Sequence, residues 1–264
     1  MSNTSFALRI ANLVSYIVVV AANILANVLP FNDITTNEIS DSVPTLVTPS
    51  GFTFSIWGVI YIGLLSFIIY QLLPAQRDNE HINKIGWWFV ISSIANVLWL
   101  LLWHYLQFPL TVVVMLILLG SLLMIYLRLE IGAKSVKRSD FWFVNVPFSI
   151  YLAWICVATV ANISILLTDL GWDGFGIPQS QWAAVVIGLL VVITLIILIK
   201  RRDFAFAAVV VWALVGIWSA RDDTMWLSYY VAAAALLVAA GTLLQLINQL
   251  LWNEAEPPIT LQSE

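Results

Sequence analysis

Apolar residues fall into about eight blocks separated by short polar stretches, and block length is the first structural information the chain offers. Crossing an apolar layer of about 30 Å takes roughly 20 residues of helix. The blocks at about 7–30, 51–74, 85–106, 108–129, 141–168, 181–200, 204–219 and 226–252 approach that length. The block 204–219 is the shortest and also fits a re-entrant segment. The predicted fold class is therefore an all-α membrane protein, a polytopic bundle of about eight transmembrane helices.

Inside these blocks, polar and aromatic residues recur at helical spacing. In "YLAWICVATVAN" the residues Tyr151, Trp154, Ala158 and Asn162 return to one side of a helix at about 100° per residue. "GFTFSIWGVIY" sets Trp57 and Tyr61 one turn apart, and "ANVLWLLLWHY" sets Asn96, Trp99 and Trp103 on a common face. Asn12, Asn23 and Asn27 would line the inward face of the first helix, which favours a retained helix over a cleaved signal peptide. Following the direction of each helix, four of them bring aromatic and amide groups to one depth, beneath the acidic loop "FNDITTNEISDSVPTLVTPS" of residues 31–50, which is expected to fold over the bundle. Convergent polar groups in an aromatic concavity make a small-molecule site. Asn and Trp bonding across helices make a packing seam instead, each bond contributing about 0.6 to 2 kcal/mol. The residues alone support the two readings equally.

Composition fixes the class: 61% of the 264 residues are hydrophobic, 10% are charged, and the mean hydropathy is +0.95. Charge sets the sidedness. With the N-terminus inside, Arg9, Arg77, Lys84, Arg128, Lys134, Lys137, Arg138, Lys200, Arg201 and Arg202 fall on the cytoplasmic side, ten of the eleven basic residues, and Arg221 alone falls outside. Both termini are expected in the cytoplasm and the bilayer itself is a partner; the net charge of −4 says little more. Trp87, Trp88, Trp142, Trp172, Trp182, Trp218, Trp226 and Trp252 stand near helix ends, as interfacial belt residues do.

Candidate chemistry is sparse. There is no phosphate loop, nucleophile elbow or Cys/His metal spacing. His81 and His104 read as interfacial polar residues, and the single cysteine, Cys156, as a small packing residue. No span carries a mid-membrane lysine or a carboxylate marking a proton or sodium path, so retinal and ion-coupled chemistry are unsupported. No metal, no catalytic residue and no nucleic-acid partner is expected.

The motifs together resemble the tryptophan-rich sensory protein, or translocator protein (peripheral-type benzodiazepine receptor), family. "YLAWICVATVAN" is similar to that family's fifth-helix signature, "ANVLW" to its third-helix Asn-x-x-Trp, and "PSGFTFSIWGVIY" to its Pro followed eight residues later by Trp-Gly-x-x-Tyr. The resemblance covers roughly residues 1–170. It implies a five-helix bundle with a pocket for tetrapyrroles, or sterols and aromatic ligands in some members, closed by the loop after the first helix. It also implies that Trp57, Tyr61, Asn96, Trp99, Tyr151, Trp154, Ala158 and Asn162 line or support that pocket, and that homodimers are common.

The chain departs from the pattern at Thr48-Pro49, Gly51, Ser55 and Pro147, and residues 169–180 lack the basic residue of a sterol motif, although "LLMIYLRL" fits that loose pattern. Residues 171–252 form three further helices, with Ala232, Ala235 and Ala239 as a small-residue face on the last, and 253–264 a disordered cytoplasmic tail. The expected function is a receptor or sensor for a flat hydrophobic ligand, a tetrapyrrole (porphyrin or heme) or related sterol-like lipid, with no cofactor required. The alternatives are a transporter of such molecules and, with less support, a porphyrin-degrading enzyme. Short loops and the lack of a transit peptide point to a bacterial plasma membrane.

Overall fold

A computed structural model describes residues 3–29, 31–220 and 225–255. Arg221 and residues 256–264 lie outside the described residues. Among those described, the regular structure is entirely helical. The long helices are α1 Asn3–Val28, α2 Ile56–Leu72, α3 Trp88–His104, α4 Phe108–Arg128, α5 Val146–Asp169, α6 Gln179–Arg201, α7 Phe204–Ser219 and α8 Met225–Ala255. Six helical segments, containing α1, α2, α4, α5, α6 and α8, are long and apolar enough to cross a membrane, whereas α3 and α7 are shorter apolar helices. The last helix runs on to Ala255, into the stretch expected to be disordered.

Packing arranges the first five helices as a closed ring. Neighbours around it are α1, α2, α5, α4 and α3, with α3 returning to α1. Phe67 of α2, Phe89 of α3 and Phe148 of α5 fill its middle, with ring centroids 5.0 to 5.9 Å apart and all three side chains buried. Polar bonds hold α1 against the ring. Asn12 Nδ2 donates to Gln71 Oε1 at 3.1 Å, Tyr16 OH to the Tyr61 carbonyl at 3.1 Å and Asn23 Nδ2 to Asn96 Oδ1 at 3.0 Å. Arg9, buried with only 4% exposed, donates to the carbonyls of Gln71, Gln76 and Arg77. Its guanidinium thus sits where the α2 chain ends and carbonyls are left over. Asn27 departs from the expected inward face: it is exposed and bonds only the Asn23 carbonyl of its own helix.

Helix α5 is entered through a π turn at Phe141–Asn145. Pro147 follows immediately, and a proline that lacks an N–H and crowds the carbonyl four residues back explains the local widening. The same ring faces Gly63 of α2, where a Cβ would stand 3.4 Å from Pro147 Cβ, so the two helices approach closely there.

The last three helices attach through α7. It packs on α5, and α6 and α8 pack on α7 and on each other. Asp203, just before α7, accepts hydrogen bonds from Ser149 at 2.6 Å and Tyr126 at 3.0 Å through Oδ2, while Oδ1 caps the Phe206 N–H at 3.0 Å. One carboxylate thereby ties α7 to α4 and α5. The buried face of α8 is Leu227, Val231, Ala234, Ala235 and Val238. It therefore differs from the expected alanine face, since Ala239 is exposed and Ala232 half-buried.

The described basic residues gather at one end, the basic end. Lys84 pairs with Glu130 at 3.2 Å and Lys134 with Glu130 at 2.8 Å, and Arg201 reaches the Ile131 carbonyl at 3.4 Å. Residues 31–55 and 170–178 cover the opposite end, the loop end.

Candidate functional site

At the loop end the ring encloses a small chamber roofed by the chain between α1 and α2. Thr36, Ser40, Thr48 and Pro49 form the roof. The walls are Phe54 just before α2, Trp57 of α2, Trp99 and Trp103 of α3, and the stripe of Trp154, Ala158 and Asn162 on α5. The roof is built locally: the short helix Thr36–Ser42 starts with a capping box in which Thr35 and Glu38 bond reciprocally. Those bonds hold the exposed Glu38 carboxyl below its ordinary range, the backbone N–H of Thr35 contributing most. Trp103 Nε1 donates to the Thr36 carbonyl at 3.2 Å, and Asn32 Nδ2 to the His104 carbonyl at 3.1 Å. His104, at the end of α3, is fully buried, with Phe31 edge-on to its ring at 5.6 Å.

Aromatic contacts define the chamber wall. Trp57 stacks on Tyr61 at 5.6 Å and meets Trp154 edge-on at 6.3 Å, while Phe54 meets Trp154 from another side at 5.9 Å. Trp99 and Trp103 stack at 5.2 Å across one turn of α3. Amides fix the remaining groups. Trp99 Nε1 donates to Asn162 Oδ1 at 3.2 Å, and Asn162 Nδ2 donates to Thr111 Oγ1 at 2.9 Å, which joins α3, α5 and α4. Farther from the roof, Asn96 Nδ2 donates to Tyr151 OH at 3.1 Å, beside the Asn23 bond already described.

Of the residues singled out in the sequence, Trp57, Trp99, Trp154, Ala158 and Asn162 line the chamber directly. Tyr61, Asn96 and Tyr151 lie one turn farther from the roof on the same helices; Asn96 and Tyr151 bond each other there, and Tyr61 stacks on Trp57. Phe54, Trp103 and Thr111 also belong to the site. Phe54 stands three residues before Trp57, so continuing the helical stripe backwards would have found it.

Among the described residues, three buried polar atoms in and beside this cluster have no partner. Trp154 is 2% exposed, yet its indole N–H has no acceptor, and the hydroxyl of Tyr61 and Nε2 of His104 are likewise unpaired. Buried polar groups are almost always satisfied, so unpaired donors at a lined chamber are candidate ligand contacts. The cavity volume is about 40 Å³. That is room for a few water-sized molecules and well below the roughly 300 Å³ at which small-molecule pockets begin. Among the described residues no lining residue is ionisable, and none is a His, Cys or Met that would ligate iron. Among the described residues no group of metal-ligating side chains occurs.

Helix α7 grips the segment that continues the roof toward α2. Ser50 N–H donates to the Gly216 carbonyl at 3.0 Å, the Ser50 and Ser219 hydroxyls lie 2.8 Å apart, and Trp212 Nε1 donates to the Thr53 carbonyl at 3.0 Å. Gly216 is required there, because a Cβ would collide with Thr53 Oγ1 and lie 2.8 Å from Cγ2.

Compared with known proteins, residues 9–247 match the family model described as TSPO-like protein, a match that runs on through most of the last three helices. Neither a curated protein nor a solved structure matches significantly.

Proposed function

This chain belongs to the TSPO-like family of translocator and tryptophan-rich sensory proteins, and from that premise we propose that it is a receptor or sensor for a flat hydrophobic ligand, a tetrapyrrole in the first place, taken into the aromatic chamber beneath the roof. It is an integral, multi-pass membrane protein. In this reading α3 and α7 complete about eight spans, the basic end faces the cytoplasm, and both termini lie there. The single observation that carries the proposal is the buried, unpartnered indole N–H of Trp154 at a chamber walled by four tryptophans.

The physical logic is as follows. Flat apolar rings stack on indoles, and the ligand's π face, or a carbonyl or hydroxyl where it carries one, accepts from Trp154 Nε1. Ligand binding requires the chamber to widen, as by movement of the roof, because a space of about 40 Å³ holds no tetrapyrrole. The uncharged lining disfavours burial of a carboxylate, so acidic side groups of a porphyrin stay toward the roof and solvent. With no iron ligand in the wall, the metal adds nothing to affinity.

A spectroscopic titration tests this. Protoporphyrin, heme and a sterol are added to the full chain in lipid nanodiscs, and tryptophan quenching and porphyrin absorbance are followed. Protoporphyrin and heme are expected to saturate with similar affinity, and Trp154→Phe to weaken both. Linear, unsaturable quenching that is equal in wild type and variant would overturn the proposal.

A further inference from the structure

A larger cavity lies outside the ring. Helix α6 packs along α7 and α8 rather than along α5, and at the loop end the gap between α5 and α6 widens to about 510 Å³. That volume is within the range of small-molecule sites, unlike that of the ring chamber. Val160, Ile163 and Leu167 of α5, spaced three and four residues apart, present one apolar stripe to the gap, and Val186 of α6 and Val47 of the roof complete it. The strip from Thr45 to Pro49 is a shared wall: Thr45, Leu46 and Val47 line the gap, while Thr48 and Pro49 line the chamber.

The rim sets the ligand chemistry. Trp172 and Trp182 stand 5.4 Å apart at one side of it, and Trp182 Nε1 is held by the Gly174 carbonyl at 2.9 Å. Asp173 lines the rim, with Oδ1 engaged by the Phe175 N–H and its carboxylate otherwise open to accept. Gln179 adds an amide that both donates and accepts. Among the described residues no Lys, Arg or His lines the gap. An anionic head group would face a carboxylate without a compensating cation, whereas a hydroxyl can donate to Asp173 and accept from Gln179.

We propose that the gap between α5 and α6 is a second binding site, separate from the ring chamber, for an uncharged single-chain amphipath with a hydroxyl head group. The apolar tail lies against the Val160–Leu167 stripe and the hydroxyl head at Asp173 and Gln179. The site does not depend on what the chamber binds.

Photolabelling decides the matter. The full chain in phosphatidylcholine nanodiscs is irradiated with a monoacylglycerol that carries a diazirine in its acyl chain, and labelled peptides are mapped by mass spectrometry. Saturable label is expected within residues 160–186. Excess unlabelled monoacylglycerol should remove it, while the fatty acid of the same chain and protoporphyrin should not. Ile163→Trp and Ala183→Trp, each filling the gap, should lose the label, while Trp154→Phe keeps it. Where a filled variant fails to fold, the competition pattern in the wild type decides alone. Label spread evenly over lipid-facing helices and resistant to competition overturns the proposal. So do competition by the fatty acid equal to that of the monoacylglycerol, displacement by protoporphyrin, and label retained in a folded filled variant.

Discussion

Replacing Gly216 by Ala should loosen the roof from a distance. The new methyl would overlap Thr53 Oγ1 and stand 2.8 Å from Cγ2 and 2.9 Å from Cβ of the same residue. Carbon atoms prefer separations of about 3.5 to 4.0 Å, so α7 and the Gly51–Ser55 turn must part by roughly 1 Å. Such a shift carries the Ser50 N–H bond to the Gly216 carbonyl, now 3.0 Å, and the Trp212 bond to the Thr53 carbonyl, also 3.0 Å, to the edge of bonding distance. Overpacking costs about 1 to 3 kcal/mol and each of the two weakened bonds about 0.5 to 1.5 kcal/mol, for a total of about 2 to 6 kcal/mol. In a protein of this size that lowers the melting temperature by roughly 4 to 24 °C. Circular dichroism in detergent reads the melting shift, and limited proteolysis across residues 31–50 reads the roof. Adding Thr53→Ala removes most of the collision, so the double variant should melt above Gly216→Ala alone, a non-additivity expected only of residues in contact. A Gly216→Ala protein with wild-type melting and wild-type protease resistance would refute the close approach.

Further outcomes follow from the bond network. Tyr61→Phe removes a buried hydroxyl that has no partner, and should raise stability by about 1 to 3 kcal/mol, read as a higher melting temperature. Asn162→Ala orphans the Trp99 indole N–H and cuts the bond to Thr111; a loss of about 0.6 to 2 kcal/mol for each interhelical bond is expected in detergent unfolding. Asp203→Ala removes the cap of α7 and both ties to the ring, and should cost about 2 to 5 kcal/mol and free the last three helices to early proteolysis. For Glu38, a folded pKa held below its unfolded value of about 4.3 means the capping box contributes fully above that pH and is lost as pH falls through the folded value. Protease sensitivity of the roof should rise in that acid window, and Glu38→Gln should flatten the dependence.

Much of this architecture is legible in the sequence because it rests on local periodicity. The stripes Trp57/Tyr61, Asn96/Trp99/Trp103 and Tyr151/Trp154/Ala158/Asn162 need only the pitch of a helix to be placed, and the ring brings them together. The polar, acidic composition of residues 31–50 also suits a surface segment folded over the bundle. What local patterning could not carry depends on contacts between distant segments. The grip of α7 on the roof arises from one glycine meeting one threonine 163 residues earlier in the chain (216 − 53). Asp203 reads as part of a charged connector, and only the fold reveals Tyr126 and Ser149 converging on it. The asparagines of α1 show the limit of periodicity itself: Asn12 and Asn23 find partners across the interface, while Asn27, near the helix end, bonds its own backbone. The gap beside α5 is likewise invisible locally, since it follows from α6 choosing α7 and α8 as its neighbours.

The central claim, a ligand held in the chamber beneath the roof, is tested most directly by hydrogen exchange with and without protoporphyrin at saturation. Exchange should slow across residues 36–54 of the wild type, and at the same porphyrin concentration the slowing should shrink in Trp154→Phe. Saturable porphyrin binding that leaves residues 36–54 unchanged would place the ligand elsewhere and contradict the account.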